Sequence, residues 1–331
     1  MNSGIAAAGN WIIDRVKVID VYPAQDALAN ILMESSGNGG APYNLLKDLS
    51  RVGFRAGLQA IGLIGDDADG DRILEDCQRH EIDTTLLQKT AHAPTSYTDV
   101  MSVMSTGRRT FFHQRGANAL LRAEHFDFHR IQAGHLHLGY LLLLDSLDEP
   151  DEVYGTAAAR VLAAAKDHGL TTSIDVVSED SDRFRATVLP ALRHADIVFM
   201  NEFELSRTSG ITFSQTDDGR LLQAGELLME GASGQLVVHT PERVFAFLKD
   251  GRRLEHGAVR MPEDRIRGAV GAGDAFAAGY LSGFVDGFEV VECLRFGACV
   301  AASSLLAPDS SSGVMPWGDC LELGHQYGFY G

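Results

Sequence analysis

Gly268-Ala269-Val270-Gly271-Ala272-Gly273-Asp274-Ala275-Phe276, continued by Ala277-Ala278-Gly279-Tyr280-Leu281, is the stretch on which the reading of this chain turns. Glycines crowd its first half, and apolar residues follow at helical spacing, so a glycine-rich turn opens a helix with Asp274 in the first turn. The amides of such a turn have no intrahelical acceptor, and the helix dipole adds partial positive charge there. Glycine also lets the backbone approach a ligand closely. This suits a phosphoryl group in transfer, whose charge is spread over its oxygens, and a carboxylate beside it can take the proton of an attacking hydroxyl. A plainer reading stands next to it: Asp is favoured in a first helical turn, and glycine-rich loops before helices are common. The run is not a Walker loop, since no Gly-Lys-Ser/Thr follows, and no G-x-G-x-x-G follows the first strand.

Ahead of this run, short apolar segments alternate with amphipathic ones. Gly4 to Ala8, Leu58 to Ile64, His135 to Gly139, Thr172 to Val177, Ile197 to Met200 and Leu236 to Thr240 read as strands. Ala41 to Val52, Asp69 to His80, Asp151 to His168 and Leu221 to Glu230 read as helices, three of them stopped by Gly53, Gly169 and Gly231. Strand–helix alternation predicts a three-layer α/β fold, a mostly parallel central sheet flanked by helices. Two segments break the rhythm. Ile13 to Ile31 is β-rich without a helical period, and Ser96 to Gln114 is a hairpin turning at Ser105-Thr106-Gly107. Residues 13–38 and 92–116 are therefore expected to form a small β lid inserted in a single domain spanning 1–331; the alternative is a decorative hairpin.

The chain has 331 residues, 28 basic against 45 acidic, for a net charge of −17. A balance this acidic, with only the short basic pairs Arg108-Arg109 and Arg252-Arg253, argues against nucleic acid as a partner. It does not exclude a phosphate ligand, because backbone amides bind phosphate without side-chain charge. Cys77, Cys293, Cys299 and Cys320 form no C-x-x-C pair and are few for the length, which suits a reducing, cytoplasmic setting. Met1 to Gly9 lacks the pattern of a signal peptide, and the longest apolar run, around Leu141 to Leu144, is far short of a membrane span. The acidic run Asp67 to Asp76 fails as a calcium loop, having Gly65 and Asp76 at the terminal ligand positions. His125 and His129 are spaced to share a helix face, and His135 and His137 one face of a strand, but there is no H-E-x-x-H.

Six runs, in order, resemble the ribokinase-like (PfkB) carbohydrate kinase family. They are Gly9-Asn10-Trp11-Ile12-Ile13-Asp14, Gly39-Gly40-Ala41-Pro42-Tyr43-Asn44, Gly65-Asp66-Asp67-Ala68-Asp69-Gly70, Arg115-Gly116-Ala117-Asn118, Asn201-Glu202-Phe203-Glu204 and Gly271-Ala272-Gly273-Asp274. Together they span roughly residues 5 to 310. The resemblance implies ATP-dependent phosphorylation of a hydroxyl on a small sugar, with magnesium. It makes Asp274 the base and the amides of Gly271, Ala272 and Gly273 an anion hole. Asp14, Gly39, Gly40, Asn44 and Asn118 would hold the substrate. Asn201, Glu204 and Thr240 would lie at the nucleotide, with Glu204 organising Mg²⁺ through water. It further implies that the lid builds a homodimer in many members.

Each position also has a local reading. Asp14 caps a turn, Gly39-Gly40 is a tight turn before a helix, Asn44 faces solvent, and Asn201 with Glu204 makes a capping box. Two departures from the family pattern stand out. Its usual Asp-Thr ahead of the glycine run is Gly268-Ala269 here, which removes the carboxylate that supports a monovalent cation. Its Thr-x-Gly is Thr240-Pro241-Glu242, which adds bulk near the expected nucleotide loop. Two other functions stay open on the same motifs: a nucleoside kinase, and a non-catalytic sugar-binding protein on a kinase scaffold.

Overall fold

The computed structural model describes residues 4–214 and 217–331. In chain order the elements are β1 (Ile5–Gly9), β2 (Ile12–Ile19), β3 (Ile31–Gly39), α1 (Ala41–Val52), β4 (Leu58–Gly65), α2 (Ala68–Arg79), β5 (Ile82–Thr90), β6 (Ser96–Val103) and β7 (Arg109–Gln114). Three 3₁₀ turns lead to β8 (His135–Leu141), α3 (Asp145–Asp148), β9 (Pro150–Asp151), β10 (Gly155–Thr156), α4 (Ala157–Asp167), β11 (Thr171–Val176) and α5 (Phe184–Leu192). The chain continues through β12 (Ile197–Asn201), α6 (Glu202–Ser209), α7 (Asp218–Met229), β13 (Gln235–His239), β14 (Arg243–Phe247) and β15 (Arg253–Gly257). It finishes with α8 (Ala272–Val285), α9 (Val290–Ser304) and α10 (Trp317–Tyr327).

Nine strands form the central sheet in the order β15-β14-β13-β12-β11-β8-β1-β4-β5. Pairings from β5 across to β13 are parallel, and β14 and β15 add an antiparallel edge. Alternation along the strands divides the core. Ala6, Ala8, Leu136 and Leu138 face the layer that contains Val161, Leu162, Val188 and Ala224. Ile5, Ala7, Ile197 and Val237 face the layer that contains Leu45, Leu49, Phe276 and Leu281. All eight residues of β4 are buried, as expected of a strand covered on both faces. No helix among the described residues is long and apolar enough to cross a membrane.

A second sheet of four strands, β3-β2-β6-β7, stands beside the first and is the expected lid. Strands β2 and β6, which come from the two separate excursions, pair in parallel with Asp14 opposite Thr98. Strand β7 then places His113 opposite Thr98. The three polar side chains therefore lie in one row on one lid face.

Local signals set most helix ends. Gly40, at φ 86°, caps α1 with Pro42 just inside, and Gly53 closes it in the left-handed region. Asn201 and Glu204 form the expected capping box at α6. The helix expected from Asp151 begins only at Ala157. Residues 150–156 make the β9–β10 ribbon, and the Thr156 hydroxyl caps Ala159 N at 3.2 Å. His125 and His129 sit on two separate 3₁₀ turns rather than one helix face. Among the described residues no group of three or more His, Cys, Asp or Glu is placed to hold a metal, and the four cysteines are free and buried.

Candidate active site

The chain runs from β1 outward through β4 and β5, then returns to β8 on the other side of β1. That reversal opens a crevice at the carboxyl ends of β1 and β8, where ligands of open α/β sheets bind. The glycine run faces it. Gly271, at φ 73°, is the N-cap of α8, and no side chain caps the helix. A Cβ on Gly271 would lie 2.8 Å from Ser310 Cβ, so both the conformation and the close approach require glycine. Gly273 packs under His239, where a Cβ would sit 3.3 Å from the ring. The amides of that first turn have no intrahelical acceptor.

Asp274 is 4% exposed and lies at the centre of a hydrogen-bond cluster. Asn44 Nδ2 donates to its Oδ2 at 2.7 Å. The Tyr140 hydroxyl lies 2.8 and 2.7 Å from its two oxygens. Burial raises the Asp274 pKa, and the negative charge of Asp175 raises it further, while the donors Asn44 and Tyr140 oppose both. Behind Asp274, Asp175 lies one residue before the end of β11, with its Oδ2 3.4 Å from His137 Nε2. His137 shares the Ser173 hydroxyl with His135, at 2.8 and 2.7 Å. Both histidines point to one face of β8, as their spacing implied, and bond to the hydroxyls of Thr171 and Ser173.

Asn44 does not face solvent; it is 2% exposed. Asn38 Nδ2 donates to Asn44 Oδ1 at 2.7 Å and to the Ser311 hydroxyl at 2.9 Å, while Lys47 Nζ donates to Asn38 Oδ1 at 3.0 Å. This leaves the Asn44 amide oriented with its NH₂ toward Asp274. The paired glycines are both spatial necessities. A Cβ on Gly39 would run into the Asp14 carboxylate, and one on Gly40 into the Asn10 carbonyl. Asp14 projects from β2 near enough to Asp274 to feel its charge. Burial pushes its carboxyl up to about 7, against the lowering effect of the neighbouring Thr98 hydroxyl.

The other expected positions divide. Asn118 is fully buried, with Oδ1 accepting from Trp11 N at 3.2 Å and Nδ2 donating to Trp11 O at 3.3 Å. Both side-chain hydrogen bonds of Asn118 go to the loop between β1 and β2 and fix that loop. Asn201 and Glu204 stand at the end of β12. Glu204 accepts from Asn201 N at 2.9 Å, Asn201 Nδ2 at 2.9 Å and the Ser178 hydroxyl at 2.7 Å. Burial holds the Glu204 carboxyl up to about 8. Thr240 lies in the β13–β14 turn, where its hydroxyl donates to Arg243 O at 2.8 Å and accepts from Arg243 N at 2.9 Å. Gly268 packs against the loop after α9, with a Cβ there 2.9 Å from Ala307 O and from Pro308 Cα. An aspartate at that position has no room.

Tyr140, Asp175, Asn38, Thr98 and His113 escaped the sequence reading. Tyr140 borders the apolar Leu141 to Leu144 run and reads as core. Thr98 stands between Tyr97 and Asp99 on β6, whose side chains take the opposite lid face.

Comparison with known proteins matches this geometry to a family. The model of the pfkB family carbohydrate kinases matches residues 9–317. A fructokinase of Escherichia coli is 29% identical over 278 residues, covering 80% of this chain and 83% of that protein. Ribokinase of Arabidopsis thaliana, solved with ribose and ATP, superposes with a TM-score of 0.79 at 21% identity, covering 98% of this chain and 99% of that one. The nucleoside kinase of Methanocaldococcus jannaschii superposes with a TM-score of 0.74 at 18% identity, covering 98% and 99%. The chain belongs to the pfkB family of carbohydrate kinases.

Proposed function

We propose that the protein transfers the γ-phosphoryl group of ATP to a hydroxyl of a small sugar, with Asp274 as the base. The observation that carries this is the placement of Asp274: buried, in the first turn of an uncapped helix, with its pKa raised toward the neutral range where a general base works best. A sugar hydroxyl would take the place of the Tyr140 hydroxyl on Asp274. The amides of Gly271, Ala272 and Gly273 would receive the equatorial oxygens of the phosphoryl group as charge builds on them. Asp14 and Asn44 would hold neighbouring hydroxyls, while Gly39 and Gly40 let the sugar and the lid approach. Asn201, Glu204 and Thr240 would border the nucleotide phosphates.

The protein's donor set does not fit a resident magnesium ion. Both oxygens of Glu204 are occupied by protein donors, and its raised pKa favours the neutral acid. Magnesium therefore belongs with the nucleotide as the MgATP substrate, and Glu204 would act on it only across water. Gly268 supplies no carboxylate for a monovalent cation, so the proposed site includes none.

The test is a panel of sugars and nucleosides with ATP consumption as readout, run with and without potassium, on wild type and Asp274→Asn. Turnover on a sugar is expected, within about twofold with or without potassium, and a loss of about 10²–10⁴-fold in kcat for the variant at unchanged fold. Preference for a nucleoside would move the acceptor to the second reading, which the likeness to a nucleoside kinase favours. Undiminished turnover by Asp274→Asn would refute the base.

A further inference from the structure

His239 ends β13 beside the glycine run. Its side chain takes the same sheet face as Val237, toward α8, and its ring centre lies 5.7 Å from that of Phe276 at 35°. The far edge of the ring meets the first turn of α8, where a Cβ on Gly273 would lie 3.3 Å from both Cε1 and Nε2. Turning the ring over exchanges those two atoms and still leaves Nε2 beside Gly273, so the nitrogen's place does not depend on how the ring is assigned. His239, Gly271, Ala272 and Gly273 are all partly exposed, so a ligand in the crevice can reach them. Among the described residues none hydrogen-bonds to this ring, and neither of its nitrogens is sealed from solvent as Nε2 of His113 and of His137 are.

The glycine run joins two sides of the crevice. Asp274 turns to Tyr140 of β8 and Asn44 of α1, where the acceptor hydroxyl is proposed to bind. Gly273, one residue earlier, turns to His239. In the order β8-β11-β12-β13 that residue stands two strands beyond β11, about 10 Å away, and in register with Asn201 of β12. Displacement at phosphorus runs in line, with the attacking and leaving oxygens on opposite sides. With the hydroxyl at Asp274 and the γ-phosphoryl at the glycine run, the leaving oxygen comes out on the side of His239. Among the described residues no charged group acts on the ring; burial alone lowers its pKa to about 4, so it is neutral and carries one N–H. Phosphate oxygens only accept, and they select the tautomer with that proton on Nε2.

We propose that His239 holds the leaving side of the nucleotide, its Nε2–H donating to an oxygen of the β-phosphate of ATP. This rests on the kinase reading above and adds to it a residue that lies outside the six motifs. In the transfer the sugar oxygen bonds to the γ-phosphorus, its proton passes to Asp274, and the bond from the γ-phosphorus to the bridging oxygen breaks. The bridging oxygen keeps the electron pair as ADP forms. The proton on Nε2 stays on the ring. Its hydrogen bond strengthens as charge gathers on the β-phosphate, and a fixed donor aimed at developing charge lowers the barrier.

Calorimetric binding of MgADP and of AMP tests this without turnover, since only ADP carries the β-phosphate. The variants are His239→Gln, whose amide nitrogen reaches the Nε2 position, and His239→Asn, whose shorter amide stops near Nδ1. His239→Asn is expected to weaken ADP by about tenfold or more and AMP by no more than about twofold, while His239→Gln holds ADP within about threefold of wild type. Both variants lose the ring contact with Phe276, so a packing role would move them alike. In turnover, His239→Asn should lower kcat by about 10–10²-fold, and His239→Gln by less, with KM for the sugar within about twofold of wild type. If the asparagine protein does not melt cooperatively, His239→Phe, which keeps a ring and lacks the N–H, takes its place with the same expected losses. Equal weakening of ADP and AMP, no weakening of either, or equal losses in His239→Asn and His239→Gln would overturn the proposal. Selective weakening of ADP with no turnover on any acceptor refutes the kinase reading and supports this one. Absence of ADP binding to wild type refutes both.

Discussion

Asp14 ties stability, ligand binding and pH together in a way that can be measured on the protein without ligand. Burial raises its carboxyl from the ordinary 3.8 to about 7. In the pH range between those values the folded state holds a proton that the unfolded state has released. Stability therefore falls as pH rises through that window and reaches its low plateau above the folded pKa. A tenfold difference in proton affinity between the two states corresponds to about 1.4 kcal/mol, so between about pH 5 and pH 8 Asp14 alone should cost about 2–3 kcal/mol of unfolding free energy. Asp14→Asn removes this titration while keeping an acceptor for Thr98. Urea unfolding of both proteins at those two pH values gives four free energies. The variant is expected to gain about 2–3 kcal/mol on wild type at the higher pH relative to the lower. Other buried acids, Asp148 and Glu204 among them, titrate in both proteins and largely cancel. A stability difference between the two proteins that is the same at both pH values would refute the raised pKa. Sugar affinity should move the other way in wild type, strengthening as Asp14 ionises, because a carboxylate accepts from a hydroxyl more strongly than the neutral acid does.

Two further outcomes follow from particular contacts. The Tyr140 hydroxyl lowers the Asp274 pKa by donating to the carboxylate, so Tyr140→Phe should carry the acid limb of kcat/KM higher by roughly 0.5–1 in pH; an unmoved limb would show that Tyr140 does not act on the base. The lid presents Ile31, Leu32, Met33, Phe111 and Phe112 to solvent, each 45% exposed or more, along its two edge strands. That is apolar surface a monomer rarely leaves bare. We propose that a second copy covers it, giving twice 35.8 kDa in sedimentation equilibrium, with Phe111→Glu returning the monomer. A monomeric wild type at micromolar concentration would refute the pairing.

What the sequence determined by itself is local or repetitive. The bounds of α1 follow from Gly40 and Gly53, the start of α6 from Asn201 and Glu204, and the parallel sheet from strand–helix alternation. These rest on hydrogen bonds that span about four residues and on side-chain period, both legible along a line. Five of the six motifs lie at or just past a strand end, and the sixth opens α8. The error at α4 was a competition between two local options: Thr156 is the cap, and the residues before it pair as a ribbon instead of extending the helix.

Tertiary structure decided which groups meet Asp274. Asn44 is 230 residues away in sequence and Tyr140 is 134 away. Their contact depends on β8 returning beside β1 and on α1 and α8 both packing on one face of the sheet, which no local rule encodes. It also decided that Asn118 binds the chain to itself, and that Thr98 and His113 stand in register with Asp14. A single-residue slip in either lid pairing would turn one of them to the opposite face. The carboxylate and the glycine turn were written in one short run of sequence. The protonation state of that carboxylate, and the acceptors that face the substrate, depend on strand order and register, which place distant polar groups together out of water.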